Sequence, residues 1–153
     1  MPTYLLDTNV VADTLRKVPA AVEYVDSLGK WSDSVVCKME LIAGARNQKE
    51  VEALDKYLQD FTEVGLSRHI GTKGGEIMTR YAKANGMDPL DALIAAAAIT
   101  EDLTLSTQNE KHFRNIDGLK IEETISNTQT LIRLVNVLGK DHFKKPRNAP
   151  KCL

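Results

Sequence analysis

The sequence has 153 residues with 20 lysines and arginines against 21 aspartates and glutamates, which gives a formal net charge of -1. The charges are unevenly placed. The residues from Lys140 onward contain five cations and one anion, which leaves a net charge of -5 on residues 1–139. This balance excludes a strongly basic domain that holds nucleic acid by charge alone. A chain of this length forms about one domain, whose core needs neither disulfides nor structural zinc.

Cysteine content and hydropathy exclude two further classes of protein. The two cysteines, Cys37 and Cys152, lie far apart in the sequence, so they form neither a disulfide framework nor a metal-binding pair. The longest apolar run, residues 92–99, is much shorter than the roughly 20 residues that a membrane-spanning helix needs. We therefore expect a cytoplasmic protein that does not enter a membrane.

Short apolar strands alternate with helices along the sequence. Strands are predicted at residues 3–7, 34–37, 103–106 and 119–122. Helices are predicted at residues 10–15, 19–28, 39–44, 48–61, 67–85, 88–99 and 128–138. This alternation predicts an α/β fold with a mostly parallel sheet that helices cover on both faces.

The sequence predicts a single domain followed by a short tail. Residues 1–139 contain all the predicted strands and helices, and the last of these is an amphipathic helix. Residues 140–153 are polar, basic and contain proline, a composition that favours a segment without a packed structure of its own.

Four polar residues stand where a parallel sheet would bring them together. Asp7 ends the first strand, Glu40 is the only charged residue between 39 and 45, Asp91 opens the most apolar helix, and Asn109 follows the third strand. Ligands of such sheets bind beyond the carboxyl ends of the strands. Two carboxylates about 4 Å apart repel by on the order of 4 kcal/mol at an effective dielectric constant near 20. A divalent cation would offset this repulsion, and oxygen donors without His or Cys suit Mg²⁺ or Mn²⁺.

Each of the four residues also has a purely structural interpretation. Asp7 can cap the helix that follows it. Asp88 and Asp91 together form a favourable start for the next helix. Glu40 needs only a solvated edge, and Asn109 alone indicates little. The prediction of a site therefore depends on the four residues in combination.

Four ordered segments match a known set of motifs: residues 5–9 (LLDTN), 34–44 (SVVCKMELIAG), 91–96 (DALIAA) and 105–113 (LSTQNEKHF). With them the sequence resembles the PIN-domain ribonucleases, in particular VapC-type toxins, over residues 3–122. The resemblance implies a Rossmann-like, three-layer α/β/α fold with a mostly parallel sheet of four or five strands. It also implies Mg²⁺- or Mn²⁺-dependent cleavage of RNA, a small antitoxin protein as partner, and a homodimer.

The resemblance also implies the roles of individual residues. Its four catalytic positions, of which the three acids would bind the metal, are Asp7, Glu40, Asp91 and Asn109. Many family members have Asp where this sequence has Asn, so this site has three formal charges rather than four. Hydrogen-bonding support is expected from Thr8, Asn9 and Thr107.

Two other functions fit parts of the same pattern. In a haloacid-dehalogenase-like phosphatase the strand-end Asp7 would be a nucleophile, but that family needs a second Asp where this sequence has Asn9. A catalytically silent PIN-like scaffold would bind RNA or protein without cleaving it. Trapping of a phosphorylated Asp7 would favour the phosphatase, and metal binding that depends on Asp7 would count against the scaffold.

Overall fold

The computed structural model describes residues 2–124, and the predicted helix at 128–138 and the tail at 140–153 lie outside this range. Five strands and seven helices occur within it. The strands are β1 Tyr4–Leu6, β2 Ser32–Ser34, β3 Thr62–Val64, β4 Thr104–Thr107 and β5 Lys120–Glu123. The helices are α1 Thr8–Leu15, α2 Pro19–Leu28, α3 Val35–Ala43, α4 Gln48–Leu58, α5 Arg68–Asn85, α6 Pro89–Thr100 and α7 Glu110–Phe113.

All five strands run parallel in one sheet with the order β3-β2-β1-β4-β5. Leu5 contributes to a core that contains residues of α5 and α6, whereas its neighbour Leu6 contributes to a second core with residues of α1, α2 and α4. The predicted three-layer α/β/α fold with a parallel sheet is therefore confirmed. The strand order reverses at β1, so the crevice between the carboxyl ends of β1 and β4 is the place where such sheets bind ligands.

One strand prediction was wrong and one strand was missed. The second strand is Ser32–Ser34, not 34–37, because the Ser34 hydroxyl accepts a hydrogen bond from the Val36 N–H at 3.0 Å and begins α3 there. The apolar residues that suggested a strand instead form the first turn of that helix. Strand β3 was not predicted at all, since it is three residues long and only Val64 is buried.

The helix predicted at 67–85 is continuous in spite of its three early glycines. One of them, Gly74, lies against α6, where an added Cβ atom would stand 3.0 Å from Leu93 Cδ2. The glycine thus permits the close approach of α5 to α6, the helix that bears Asp91. No helix within residues 2–124 is long and apolar enough to cross a membrane.

Candidate active site

Asp7 occupies the centre of the crevice between β1 and β4. It follows β1 directly, caps α1, and is only 5% exposed. Its Oδ1 accepts a hydrogen bond from the Thr8 N–H at 2.8 Å, and its Oδ2 accepts one from the Thr107 hydroxyl at 2.7 Å. Both carboxylate oxygens therefore have aimed donors, which fix the orientation of the group. The capping interpretation is correct as well, so Asp7 is both a helix cap and a residue of the crevice.

Thr8 connects Asp7 to Glu40 on α3. The Thr8 hydroxyl donates to Glu40 Oε2, while its backbone N–H donates to Asp7. Glu40 is half-buried. One threonine thus joins two of the predicted acidic residues.

Asn109 connects to the Asp7 carboxylate through Thr107. The Asn109 N–H donates to Thr107 Oγ1 at 3.0 Å, and the Thr107 hydroxyl in turn donates to Asp7. Thr107 is fully buried, so its hydroxyl has little alternative to this pair of bonds. Asn9, the third residue expected to give support, is exposed and lines a groove beside Glu40.

Asp91 reaches the site from the first turn of α6. Its carboxylate forms a capping box with Asp88, whose N–H donates to Asp91 Oδ2 at 3.3 Å. The same oxygen lies 2.8 Å from Nδ1 of His112, and that nitrogen lies 2.9 Å from Nδ2 of Asn109. The structural interpretation of Asp91 is therefore correct, and the residue is also linked to Asn109.

Sequence reasoning missed His112. Its neighbour Phe113 is fully buried in the core. His112 hydrogen-bonds two of the predicted site residues. The available signal was its spacing: Asn109 is the N-cap of α7 and His112 stands three residues later, a spacing that brings two side chains together at a helix start.

Neighbouring carboxylates and burial together determine the pKa of Asp7. Burial raises the pKa of Asp7 most, the hydrogen bonds from Thr107 and Thr8 oppose this rise, and the charges of Asp91 and Glu40 raise the pKa further. Burial and repulsion from two acids thus make the charged form of Asp7 less favourable than that of a solvated aspartate. A cation close to Asp7 would lower its pKa again.

The donor set fits a hard divalent cation, since it consists of carboxylate oxygens with an amide nearby. Within residues 2–124, however, no three His, Cys, Asp or Glu side chains stand close enough together to hold a metal ion. The carboxylates are linked through Thr8, Thr107 and His112, and a cation would have to draw them closer.

Grooves with basic residues flank the site. Beside Glu40, a groove of about 490 Å³ between α1, α3 and α4 is lined by apolar residues and by Arg16 and Arg46. Beside Asn109, a second hollow of about 320 Å³ is lined by residues that include Lys111 and Arg114. Lys38, although close to Glu40 in sequence, pairs with Asp55 at 2.7 Å and so points elsewhere.

Comparison with known proteins finds a matching family and related ribonucleases. Residues 4–119 match the family model described as PIN domain. The chain is 34% identical over 114 residues to the ribonuclease VapC19 of Mycobacterium tuberculosis, an alignment that covers 71% of this chain and 90% of that protein. It is 28% identical to the tRNA(fMet)-specific endonuclease VapC of Shigella flexneri, over 80% of this chain and 98% of that one.

A solved structure is also similar. The crystal structure of VapBC2 from Rickettsia felis, bound to a DNA fragment from its promoter, aligns with a TM-score of 0.67 and 25% identity. The alignment covers 79% of this chain and 98% of that one.

Proposed function

The chain belongs to the PIN-domain family and to the VapC ribonucleases within it, and from this premise we propose that it is a divalent-cation-dependent endoribonuclease, the toxin of a toxin–antitoxin pair. The observation that supports this most is the unbroken series of polar contacts from Glu40 through Thr8, Asp7, Thr107 and Asn109, which His112 extends to Asp91. Three acids contributed by separate parts of the sequence are coupled at one sheet edge, where each alone would have only a structural use.

In this proposal Asp7, Glu40 and Asp91 hold one Mg²⁺ or Mn²⁺ ion. Such a cation lowers the pKa of a water molecule and stabilises the charge that develops on a phosphate during hydrolysis. Thr107 and Thr8 hold Asp7 so that its oxygens keep one orientation, and Thr8 also holds Glu40. Asn109 has no charge, so its amide is suited to orient a water or a phosphate oxygen without adding to the repulsion.

RNA binding is proposed to depend on the cation more than on a basic surface. The net charge of residues 1–139 is -5, whereas phosphate contacts normally supply much of the affinity for nucleic acid. Lys111 and Arg16, in the grooves on either side of the site, are suited to contact phosphates, although Arg16 also lies 3.6 Å from Asp13 in an exposed ion pair. Arg46 hydrogen-bonds Glu50 through its backbone and its guanidinium, so it must leave this partner before it can bind a phosphate.

The first test compares two substitutions in the first turn of α6. Asp91→Asn removes a proposed ligand, whereas Asp88→Asn keeps a good helix cap and serves as the matched control. We expect Asp91→Asn to lose metal-dependent RNA cleavage, Asp88→Asn to retain it, and EDTA to abolish cleavage by the wild-type protein. Cleavage that continues in excess EDTA would overturn the proposed metal dependence.

We also propose that an antitoxin occupies the groove beside Glu40. Its lining combines apolar residues, among them Leu15, Leu41 and Leu54, with charges at its rim, which suits an amphipathic peptide. A peptide in this position would block access to Glu40. Leu41→Asp should abolish binding of the antitoxin, measured by co-purification, and leave cleavage of RNA by the free protein intact; retained binding would place the partner elsewhere.

A homodimer is the second proposed assembly. The large apolar side chains exposed within residues 2–124 are Met39, Leu66 and Leu90, which are 61%, 53% and 42% exposed. Leu90 lies in the first turn of α6, next to Asp91, and Leu66 lies between β3 and α5. Sedimentation of the wild type and of Met39→Asp tests this proposal, and a monomeric wild type would overturn it.

We propose a cytoplasmic location for the protein.

A further inference from the structure

His112 lies between two proposed site residues without belonging to the predicted set. Its Nδ1 is 2.8 Å from Asp91 Oδ2 and 2.9 Å from Asn109 Nδ2. The Asp88 N–H donates to the same Asp91 oxygen. Within residues 2–124, the hydrogen bonds to the Asp91 carboxylate therefore all go to Oδ2, and Oδ1 is left for a ligand.

The protonation of the ring follows from these contacts. An ionised carboxylate only accepts hydrogen bonds, so the short contact with Asp91 requires a proton on Nδ1 of His112. A protonated Nδ1 has no lone pair to accept a bond from the Asn109 amino group. A half-turn of the Asn109 amide removes this conflict, because it presents Oδ1 to the ring and directs Nδ2 away from it.

The backbone around His112 is fixed by hydrogen bonds from α5 and by the burial of Phe113. Helix α7 has four residues, too few to be stable alone. Its Phe113 is fully buried, and Nδ2 of Asn85, at the end of α5, donates to the backbone carbonyls of His112 and Arg114 at 3.0 and 2.9 Å. Asn85 is 4% exposed. The imidazole therefore has a fixed backbone position from which to act on Asp91.

We propose that His112 is a positioning residue of the active site. Its single Nδ1–H would be shared between Asp91 Oδ2 and the Asn109 amide oxygen in a bifurcated hydrogen bond, which fixes both side chains and leaves Asp91 Oδ1 available to a cation. The ring touches neither the cation nor RNA in this role. The inference rests on the proposed metal-dependent ribonuclease function and adds to it a residue that acts through two others.

The test compares two amides at position 112 in the full chain. The side-chain N–H of Asn stands where Nδ1 stands in histidine, whereas Gln places its amide farther out, near the position of Nε2. We measure Mn²⁺ binding by calorimetry, RNA cleavage, and thermal stability for His112→Asn, His112→Gln and His69→Gln. His69 is exposed on α5 and provides the matched control.

We expect His112→Gln to weaken Mn²⁺ binding and cleavage by about 10- to 100-fold, the usual effect of losing a group that orients a metal ligand. His112→Asn should recover most of this loss, and His69→Gln should behave like the wild type. Equal effects of Asn and Gln, or no effect of either, would overturn the proposed role. A purely structural role would change thermal stability without this difference in Mn²⁺ affinity.

A measurement on the wild-type protein keeps the test independent of how the variants fold. The ¹⁵N chemical shifts of the His112 ring report which nitrogen carries a proton, and we expect a protonated Nδ1 at neutral pH. An unprotonated Nδ1 would overturn the proposal. Wild-type protein that binds no Mn²⁺ and cleaves no RNA would instead refute the proposed function. Wild-type binding that His112→Gln leaves unchanged would refute only this inference.

Discussion

Two buried aspartates on neighbouring strands have opposite surroundings. Asp7, at the end of β1, is 5% exposed and has a hydrogen-bond donor on each carboxylate oxygen. Asp33, in the middle of β2, is 1% exposed, and neither of its oxygens has a hydrogen-bond partner among the described residues. The first carboxylate is held in one orientation, and the second is merely buried.

The neighbours of Asp33 explain why it has no partner. It stands directly opposite Glu63 of β3, and the Lys38 amine lies 3.7 Å from Glu63 and 2.7 Å from Asp55. Burial, together with the charge of Glu63, raises the pKa of Asp33 to about 6, although Lys38 opposes the rise. The comparison teaches that burial and a neighbouring like charge raise the pKa of a carboxyl group, whereas aimed donors and a cation oppose that rise.

The largest expected effect is on catalysis at Asp7. Asp7→Asn should reduce RNA cleavage by more than about 100-fold, since losing a ligand costs more than losing a group that orients one. Asp33→Asn makes the same chemical change on the adjacent strand and should leave cleavage unchanged. Initial rates of cleavage for the two purified variants provide the measurement. Wild-type rates in Asp7→Asn would contradict the proposed site.

The next largest effect concerns the donor to Asp7. Thr107→Val keeps the shape of the side chain but removes the hydroxyl that donates to Asp7 and accepts from Asn109. We expect a loss of about 1–3 kcal/mol in the free energy of unfolding, because two buried groups lose their partner. Thr107→Ser retains the hydroxyl and should lose less. Denaturant unfolding checks the difference, and equal stabilities of Val and Ser variants would show that the bond is unimportant.

A gain in stability is expected at Asp33. Its raised pKa means that the folded state retains a proton that the unfolded state releases, so stability falls as pH rises from about 4 through the folded-state pKa of about 6. Asp33→Asn removes this loss. At pH 7 we expect the variant to be more stable by about 1–3 kcal/mol, and at pH 3 to match the wild type more closely. Chemical unfolding at several pH values tests this, and a variant less stable at pH 7 would refute it.

The smallest effect is expected from Lys38. Lys38→Met removes exposed ion pairs with Asp55 and Glu63, which contribute about 1 kcal/mol or less. It also removes the cation that lowers the pKa of Asp33, so that pKa should rise further. Carbon NMR of the Asp33 carboxyl group against pH follows the change. A lower pKa in the variant would mean that Lys38 does not act on Asp33.

The sequence was sufficient for the layers of the fold because β1 is apolar, Leu103 and Leu105 alternate with polar residues at β4, and the helices between these strands have clear periodicity. It was insufficient for β2 and β3, whose sequences, Ser-Asp-Ser and Thr-Glu-Val, resemble loops. Backbone pairing with neighbouring strands determines these elements, and side-chain pattern does not reveal such pairing.

The candidate site, like the fold, was predictable only in part. The rule that ligands bind beyond strand ends indicated Asp7, and Thr107 was proposed as a partner for an acid. The hydrogen bonds of His112 depend on where α7 is placed by Asn85, a contact between residues 27 apart. Asp33 gave no signal, because only its depth in the folded chain makes it unusual.

The end of β5 fixes where the rest of the chain begins relative to the candidate site. The Thr124 N–H donates to the carbonyl oxygen of Thr107 at 2.8 Å, so the main chain passes beside the residue that holds Asp7. Lys140 follows 16 residues later and is therefore at most about 55 Å from Thr124, as fully extended chain allows about 3.4 Å per residue. The +4 charge from Lys140 onward is thus covalently tethered to the proposed site, so in the proposed ribonuclease its encounter with bound RNA would not depend on protein concentration. Its contribution is measurable as a change in the slope of log Kd against log salt concentration when residues 140–153 are deleted.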